Sequence, residues 1–438
     1  MSLIKAVVYT LSYLNKNDVD SMGHLRLVAP LEKANIPIIL GFDGDQIFPE
    51  RVTDGDIVII QRQFPVKFKQ YKEIIRRAHE QNKPVIFETD DLLFFLPEDH
   101  PDRIEHIYTP ALLPIYQAIL EADVITVPTN KLREVLMPYN ENIIVLPNYF
   151  DDNLWQLRKP NVKEDKDEII KIGYMGTNSH KPDIEYLLPV ILEVLHRYSQ
   201  KVRFHFWGLK PPDILQSFSQ VEWTPWYSYS YKEFASFFQT QIADIFIAPL
   251  MDNLFNRCKS PLKYFEYSAL GVPGIYSDIE PYREIVENGK NGFLANSLKD
   301  WSDYLNDLIE QPSLRHDIAM NAQSMIKENW LLSQNAHRWR DVYHDAIETK
   351  RNGNIRKQID FSFINSINLQ MSELMGEKDK YISSLKTQVH EQQALIDSLK
   401  KLVNDYEQEI ISYVMSRSWR YTRLFRKINR KVHGLWEK

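Results

Sequence analysis

The sequence is poor in the features that commit a chain to a special environment. Only one of its 438 residues is a cysteine, Cys258, which excludes an intramolecular disulfide and any multi-cysteine zinc site and fits a reducing compartment. No run of about 18 apolar residues occurs. The opening stretch MSLIKAVVYTLSYLNKND has no basic flank followed by a sustained apolar run and a small-residue cleavage site. A cytoplasmic chain without a membrane span is therefore expected. An excess of basic charge is also missing: 53 Lys+Arg against 59 Asp+Glu leave a formal net charge of -6, which offers no global reason to expect nucleic-acid binding. What is present, 44% hydrophobic and 26% charged residues, is the composition of an ordinary folded protein. The length implies about two or three domains.

Short β-rich runs alternate with helical stretches in two series. The first is IKAVVYT, IPIIL, DIVIIQR, KPVIFETDD, DVITVPT and NIIVLPN; after the charged spacer NVKEDKDE the second is IIKIGYMG, VRFHFWG, VEWTPW, DIFIAPL, VPGIYSD and NGFL. This rhythm predicts an α/β protein of two parallel-sheet domains, over residues 1–155 and 165–345. Strand ends facing each other across a cleft are where such sheets bind ligands; two domains tethered without a shared site are the alternative. Residues 301 to 349, with Trp301, Trp330 and Trp339, are expected to close the second domain.

Residues 346–370 read as a polar connector. From Ile382 a heptad follows, with Ile382, Val389, Ile396, Val403 and Ile410 at a and Leu385, Gln392, Leu399, Tyr406 and Tyr413 at d. β-Branched a positions with leucine at d favour a parallel two-stranded coiled coil, placed at 371–413 and implying a homodimer; an amphipathic helix on its own globule is the alternative. The tail, 414–438, interleaves Arg417, Arg420, Arg423, Arg426, Lys427, Arg430 and Lys431 with Trp419, Tyr421, Phe425, Ile428 and Trp436. Basic charge with apolar anchors suits an anionic membrane surface; docking on protein or nucleic acid is less well served.

The stretch KSPLKYFEYSALGVPGIYSDIEPYREIVENGKNGFL, from residue 259, is the chemically suggestive one. Ser260 is expected to cap a helix with Pro261 in its first turn. Free N–H groups there, with Lys259 and Lys263, would hold an anion such as a diphosphate. Glu266, on the face of Lys263, can accept hydrogen bonds from hydroxyls. A plain surface Lys–Glu pair is the competing reading.

The pattern K-x3-K-x2-E-Y-x-A-x-G-V-P, with S-D-I-E-P-Y-x-E-I-V and N-G-F-L after it, resembles the nucleotide-sugar domain of GT-B glycosyltransferases, particularly the large retaining group called family 4. GYMGTNSHKPDIEYLLPVI (173–191), FETDDLLFFLPEDHP (87–101) and the late SWRYT are similar to segments of the bacterial surface-polysaccharide enzymes of that group. The resemblance implies two Rossmann-like domains around a cleft, and sugar transfer from a nucleoside-diphosphate sugar to a growing, lipid-linked glycan at the inner face of the cell membrane. It implies retention, no metal and no cofactor. Glu266 matches the second glutamate of the family's E-x7-E motif, which binds the ribose. Lys263 and the backbone at Ser260 match the diphosphate end of the helix, Lys263 also serving catalysis, and Gly176 and Thr177, with His180 and Lys181, match the phosphate-facing loop. Cys258 stands where the first glutamate belongs; Asn256, Arg257 and Glu284 are candidates to replace it, Glu284 being counted with the donor-binding set.

In the first domain, Asp90 and Asp91 end the strand VIFETDD and are the catalytic candidates facing the cleft; a helix cap is the alternative for Asp90. Gly23, His24 and Arg26 resemble the first acceptor-side loop and helix. Two competing functions stay open: a single-domain GT-A transferase using E-T-D-D to hold a metal, and a degenerate transferase serving as a dimeric scaffold of a polysaccharide-assembly complex.

Overall fold

The protein is described by a computed structural model over residues 3–160, 169–352, 361–415, 422–423 and 425–427. Two compact units form, Met1–Ser372 and Glu373–Lys438.

All twelve expected strands are present, in two six-stranded parallel sheets. Numbered along the chain, the first sheet contains β1 (Ala6–Tyr9), β2 (Ile38–Leu40), β3 (Ile57–Gln61), β4 (Val85–Glu88), β5 (Val124–Val127) and β6 (Ile143–Val145), in the order β6-β5-β4-β3-β1-β2. The second contains β7 (Ile170–Gly176), β8 (Val202–Gly208), β9 (Val221–Thr224), β10 (Ile245–Ala248), β11 (Gly274–Ser277) and β12 (Phe293–Ala295), in the order β9-β8-β7-β10-β11-β12. AVVY, IVIIQ and VIFE are buried on both faces, as strands covered by helices on either side must be. The pairing is in register, Val8 opposite Ile59 and Ile172 opposite Ile245. In each sheet the chain reverses its direction of growth once, beside β1 and β3 in the first and β7 and β10 in the second. Crevices open at such points.

Two expectations on domain ends need correction. Trp301 lies in the second domain's core as expected, but Leu332, Ala336, Trp339, Tyr343 and Ala346 pack with Ala6, Val8 and Ile59 of the first. The helix His337–Arg351 therefore crosses back, because its apolar face matches the uncovered side of the first sheet. Nor is 346–370 wholly a connector: residues 353–360 lie outside those described, whereas the helix Ser362–Met415 begins inside that range. Its first turns dock on the first domain, where buried Gln117 donates to Asn365 (2.9 Å) and accepts from Asn368 (2.9 Å).

In the second unit the heptad positions are helical as expected, and their apolar side chains are exposed. Most of the basic tail, including nearly all of SWRYT, lies outside the described residues. Among the described residues no helix is long and apolar enough to cross a membrane.

Candidate active site

The second domain supplies a compact cluster of cations around one helix. Leu262–Ala269 is helical and ends where Gly271 turns with φ +71°, a conformation other residues resist. Ser260 is not its cap, contrary to expectation. Pro261 occupies the cap position without a side-chain bond, and Ser260 Oγ instead accepts from Asn148 Nδ2 of the first domain at 3.0 Å. The helix thus starts with its N–H groups uncapped by a side chain.

Lys263, half-buried in the first turn, lies 3.4 Å from His180 Nε2, and His180 Nδ1 lies 2.7 Å from Asp183. Burial, then Lys263 and Lys259, hold the imidazole well below its usual pKa, so it is neutral. The lysine can donate to Nε2 only if the ring proton sits on Nδ1, facing the Asp183 carboxylate. Asp183 also accepts from the Met251 N–H at 2.6 Å, which ties the segment after β7 to the loop after β10 across the crevice. Its own pKa is raised to about 6 by burial, against that hydrogen bond and the two lysines. Burial, then Lys259, lowers Lys263 to about 8; Glu266 and Asp183 oppose this. Lys259 is pushed down by burial too, against Asp91 and Asp183, and its ammonium sits 4.8 Å above the Phe255 ring. Glu266 is buried, which raises it to about 7 against the pull of Lys263. Two cations held short of their ordinary basicity are poised for an incoming anion.

The other expected donor-side residues are placed less centrally. Gly176 ends β7, where a Cβ would strike the Tyr174 hydroxyl, so its smallness serves packing. Thr177 is exposed and bonded to Ser179 (2.8 Å). Lys181 is turned to solvent beside Glu185 (3.5 Å), away from the cluster, because one residue after His180 is about 100° around a helix.

Cys258 does not face the cleft. It is fully buried in the first domain's core together with Phe255, its carbonyl accepts from Thr129 Oγ1 at 2.9 Å, and burial raises the thiol to about 12. A glutamate at this position would be stranded in apolar surroundings. The proposed substitutes are occupied as well: Asn256 Nδ2 bonds the Met251 carbonyl (2.9 Å), Arg257 pairs with Asp252 (2.5 and 2.7 Å), and exposed Glu284 meets Asn130 of the first domain (3.5 Å).

On the acceptor side, Gly23 has no room for a side chain beside Ser12 and Val19. His24 Nε2 lies 2.8 Å from Asp151, and its ring packs 5.1 Å from Tyr231 of the second domain. Leu25, next to it, lines a small cavity with Glu266 and Tyr231, so this segment and the donor helix do meet. Arg26, however, is wholly buried and cannot reach an acceptor. Its Nε donates to Glu88 (2.6 Å) and its Nη1 to the Leu146 carbonyl (2.6 Å) and Asn148 Oδ1 (3.0 Å). Glu88 accepts from Gln61 (3.0 Å), which accepts from Thr10 (2.6 Å). Polar groups at the ends of β1, β3 and β4 are thus joined through Arg26 and Asn148 to Ser260 at the mouth of the donor helix.

Asp90 and Asp91 cap no helix; they bracket Arg62, at 3.6 and 3.4 Å. Burial raises Asp90 to about 7 although Arg62 opposes it, while Asp91 is partly exposed. Neither Arg62 nor Asp183 was expected from the sequence. Arg62 directly follows a strand, as Asp90 nearly does, and Asp183 stands three residues from His180, and both signals were available. His100 lies nearby, its ring 5.4 Å from Phe255, and the helix it begins packs beside the turn carrying His180.

The family profile described as Glycosyl transferases group 1 matches residues 169–311. The solved sucrose-phosphate synthase of Thermosynechococcus elongatus superposes with a TM-score of 0.56 at 11% identity, over 80% of this chain and 100% of that one. Residues 169–311 are similar to the glycosyl transferases group 1 family, and the fold is GT-B. HepE of Anabaena, solved in complex with UDP-glucose, shares this GT-B arrangement at a TM-score of 0.51 and 14% identity, over 80% of this chain and 100% of HepE. TarM aligns at a TM-score of 0.48 and 14% identity over 66% of this chain, which spans 54% of TarM's length. No curated protein sequence matches. The GT-B fold excludes the single-domain GT-A design, and the contacts made by Phe255, Cys258 and Asn148 give the two domains a common surface. The helix that carries Lys263 and Glu266 falls inside the matched residues 169–311.

Proposed function

We propose that this GT-B protein transfers a sugar from a nucleoside-diphosphate sugar to a growing, lipid-linked surface glycan, with retention and without a metal. The observation that carries the reading is the meeting of Lys259, Lys263 and His180 at the uncapped start of the helix Leu262–Ala269, within the residues that match the group 1 family. Charge that grows on the diphosphate as the glycosidic bond breaks would meet two ammonium groups and the helix end, already oriented in a partly dry site, so little reorganisation is needed. Glu266 would take the ribose hydroxyls, and HepE, with UDP-glucose bound, makes a uridine nucleotide the first donor to try. Asp90 and Asp91 remain the acceptor-side catalytic candidates. The exposed apolar face of the C-terminal helix would pair two copies, and the basic tail would hold them on the inner face of an anionic membrane.

A second reading, a degenerate scaffold, draws on Cys258, whose position offers no carboxylate to the donor's sugar. Titration calorimetry of the full chain with a panel of nucleoside diphosphates and their sugars separates the two, since a scaffold binds none. The transferase binds at least one diphosphate, and its affinity depends on pH in a set direction. Lys263 must be charged to hold an anion and in the free protein loses its proton near pH 8, so affinity is full below pH 8 and weakens by up to about tenfold per unit above it. Lys263→Arg, which does not titrate there, is expected to lose that slope.

A further inference from the structure

We infer that Asp91 is the carboxylate that orients the attacking hydroxyl and that Arg62 positions it, while Asp90 stays inside as the counter-charge of Arg62. This rests on the proposed sugar transfer and gives different roles to two aspartates so far treated alike. Arg62 directly follows β3, which borders the crevice of the first sheet. Its φ of +47° sets a long side chain in the left-handed region that ordinarily favours glycine. That conformation is held by its own N–H, which donates to the Glu88 carbonyl at the end of β4 (2.7 Å). Backbone strain of this kind persists only where the surroundings over-determine it, and such places cluster at ligand and active sites. The guanidinium is fixed from several directions as well. Its Nη2 donates to the Tyr108 hydroxyl (3.1 Å) and lies 3.4 Å from Asp91 Oδ2, its Nη1 lies 3.6 Å from Asp90 Oδ1, and its Cζ sits 5.2 Å from the centre of the Tyr108 ring. Burial disfavours the charge, and Asp90, then Asp91, outweigh burial and hold Arg62 above its ordinary pKa. Even so, Arg62 Nε and Asp90 Oδ1 are buried without a hydrogen-bond partner. Folding alone does not favour such unpaired atoms.

The two carboxylates differ in what they can touch. The side chain of Asp90 is 6% exposed and that of Asp91 25%, so Asp91 is the one that a substrate group can meet directly. It also acts across the domains: of the carboxylates that favour the charge of Lys259, Asp91 acts most strongly, ahead of Asp183 and Asp90. Asp91 therefore has Arg62 in its own domain and Lys259 of the donor cluster as its cationic neighbours. A hydroxyl that attacks a sugar whose diphosphate lies at Lys259 and Lys263 must approach from the first domain, where Asp91 stands. There the carboxylate accepts the hydrogen bond of the hydroxyl and aims its lone pair at the sugar. Arg62 fixes the direction of that carboxylate, since one planar fork is anchored on Tyr108 and backed by Asp90.

Two measurements on the full chain test this: calorimetric binding of UDP, and release of UDP from a panel of UDP-sugars, UDP-glucose first, with water as the attacking hydroxyl. Asp91→Asn is expected to slow release about a hundredfold, the order of loss that misplacing a reacting group brings. Its UDP affinity should stay level or rise, because Lys259 loses an opposing carboxylate; this also shows that the variant is folded. Asp90→Asn should cost less than Asp91→Asn. Arg62→Lys, which keeps a charge and loses the fork, should slow release about tenfold in the wild type and add little to Asp91→Asn, since both changes act on one interaction. Release at the wild-type rate in Asp91→Asn, or an equal loss in Asp90→Asn, overturns the division of roles. A loss from Arg62→Lys that adds in full to that of Asp91→Asn overturns the positioning role of Arg62. A wild type that binds UDP and releases none from any sugar of the panel overturns the placement of the hydroxyl at Asp91, whereas one that binds no nucleotide overturns the proposed sugar transfer itself.

Discussion

Replacing Lys263 with alanine is expected to cut kcat/KM by about a hundred- to a thousandfold, the usual cost of deleting one oriented group that stabilises developing charge. The protein should not lose stability with it. Burial disfavours the lysine's charge in the folded chain and lowers its pKa to about 8, so the residue opposes folding. The sign follows from proton binding. Below pH 8 both folded and unfolded chains carry the proton and the penalty is full; between pH 8 and the ordinary lysine value it shrinks, because only the unfolded chain stays charged. Urea melts at pH 7 should therefore place Lys263→Ala level with the wild type or above it, and the gain should fade by about pH 10. Activity lost while stability is kept or gained marks a residue retained for function. Intact turnover would remove Lys263 from the site.

The opposite pattern is expected at Arg26. Arg26→Ala leaves Glu88, itself almost wholly buried, as an uncompensated charge, and losses of about 3–5 kcal/mol are typical of such a change. Asn148 and the Leu146 carbonyl would lose partners too. Pairing Arg26→Met with Glu88→Leu should recover much of the stability, because both charges leave the interior together. Urea unfolding of the two variants separates the cases; equal losses in both would show that the ion pair is not what the network depends on.

The parallel sheets were legible because each strand is a short β-branched or aromatic run bounded by a break, and burial on both faces keeps it apolar. The donor helix was legible as well, since Lys259, Lys263 and Glu266 lie within eight residues of one another. What escaped notice depends on distant partners. Arg26 reads as an acceptor residue until Glu88, Leu146 and Asn148 are brought to it from 62 to 122 positions away. Cys258 reads as a damaged motif until Phe255 and Thr129 show that its loop plugs the neighbouring domain. Ser260 looks like a cap, and its hydroxyl is taken by Asn148. The helix His337–Arg351 has an apolar face that, on sequence alone, fits either domain, and only the folded chain shows which sheet was left uncovered.

The most direct measurement is a crystal structure of the protein with a bound nucleoside diphosphate, UDP first. The diphosphate is expected at the start of the helix Leu262–Ala269, within hydrogen-bond reach of Lys263 and close to His180 and Lys259, with the ribose at Glu266. A nucleotide bound elsewhere, with Lys263 and Glu266 untouched, would contradict it.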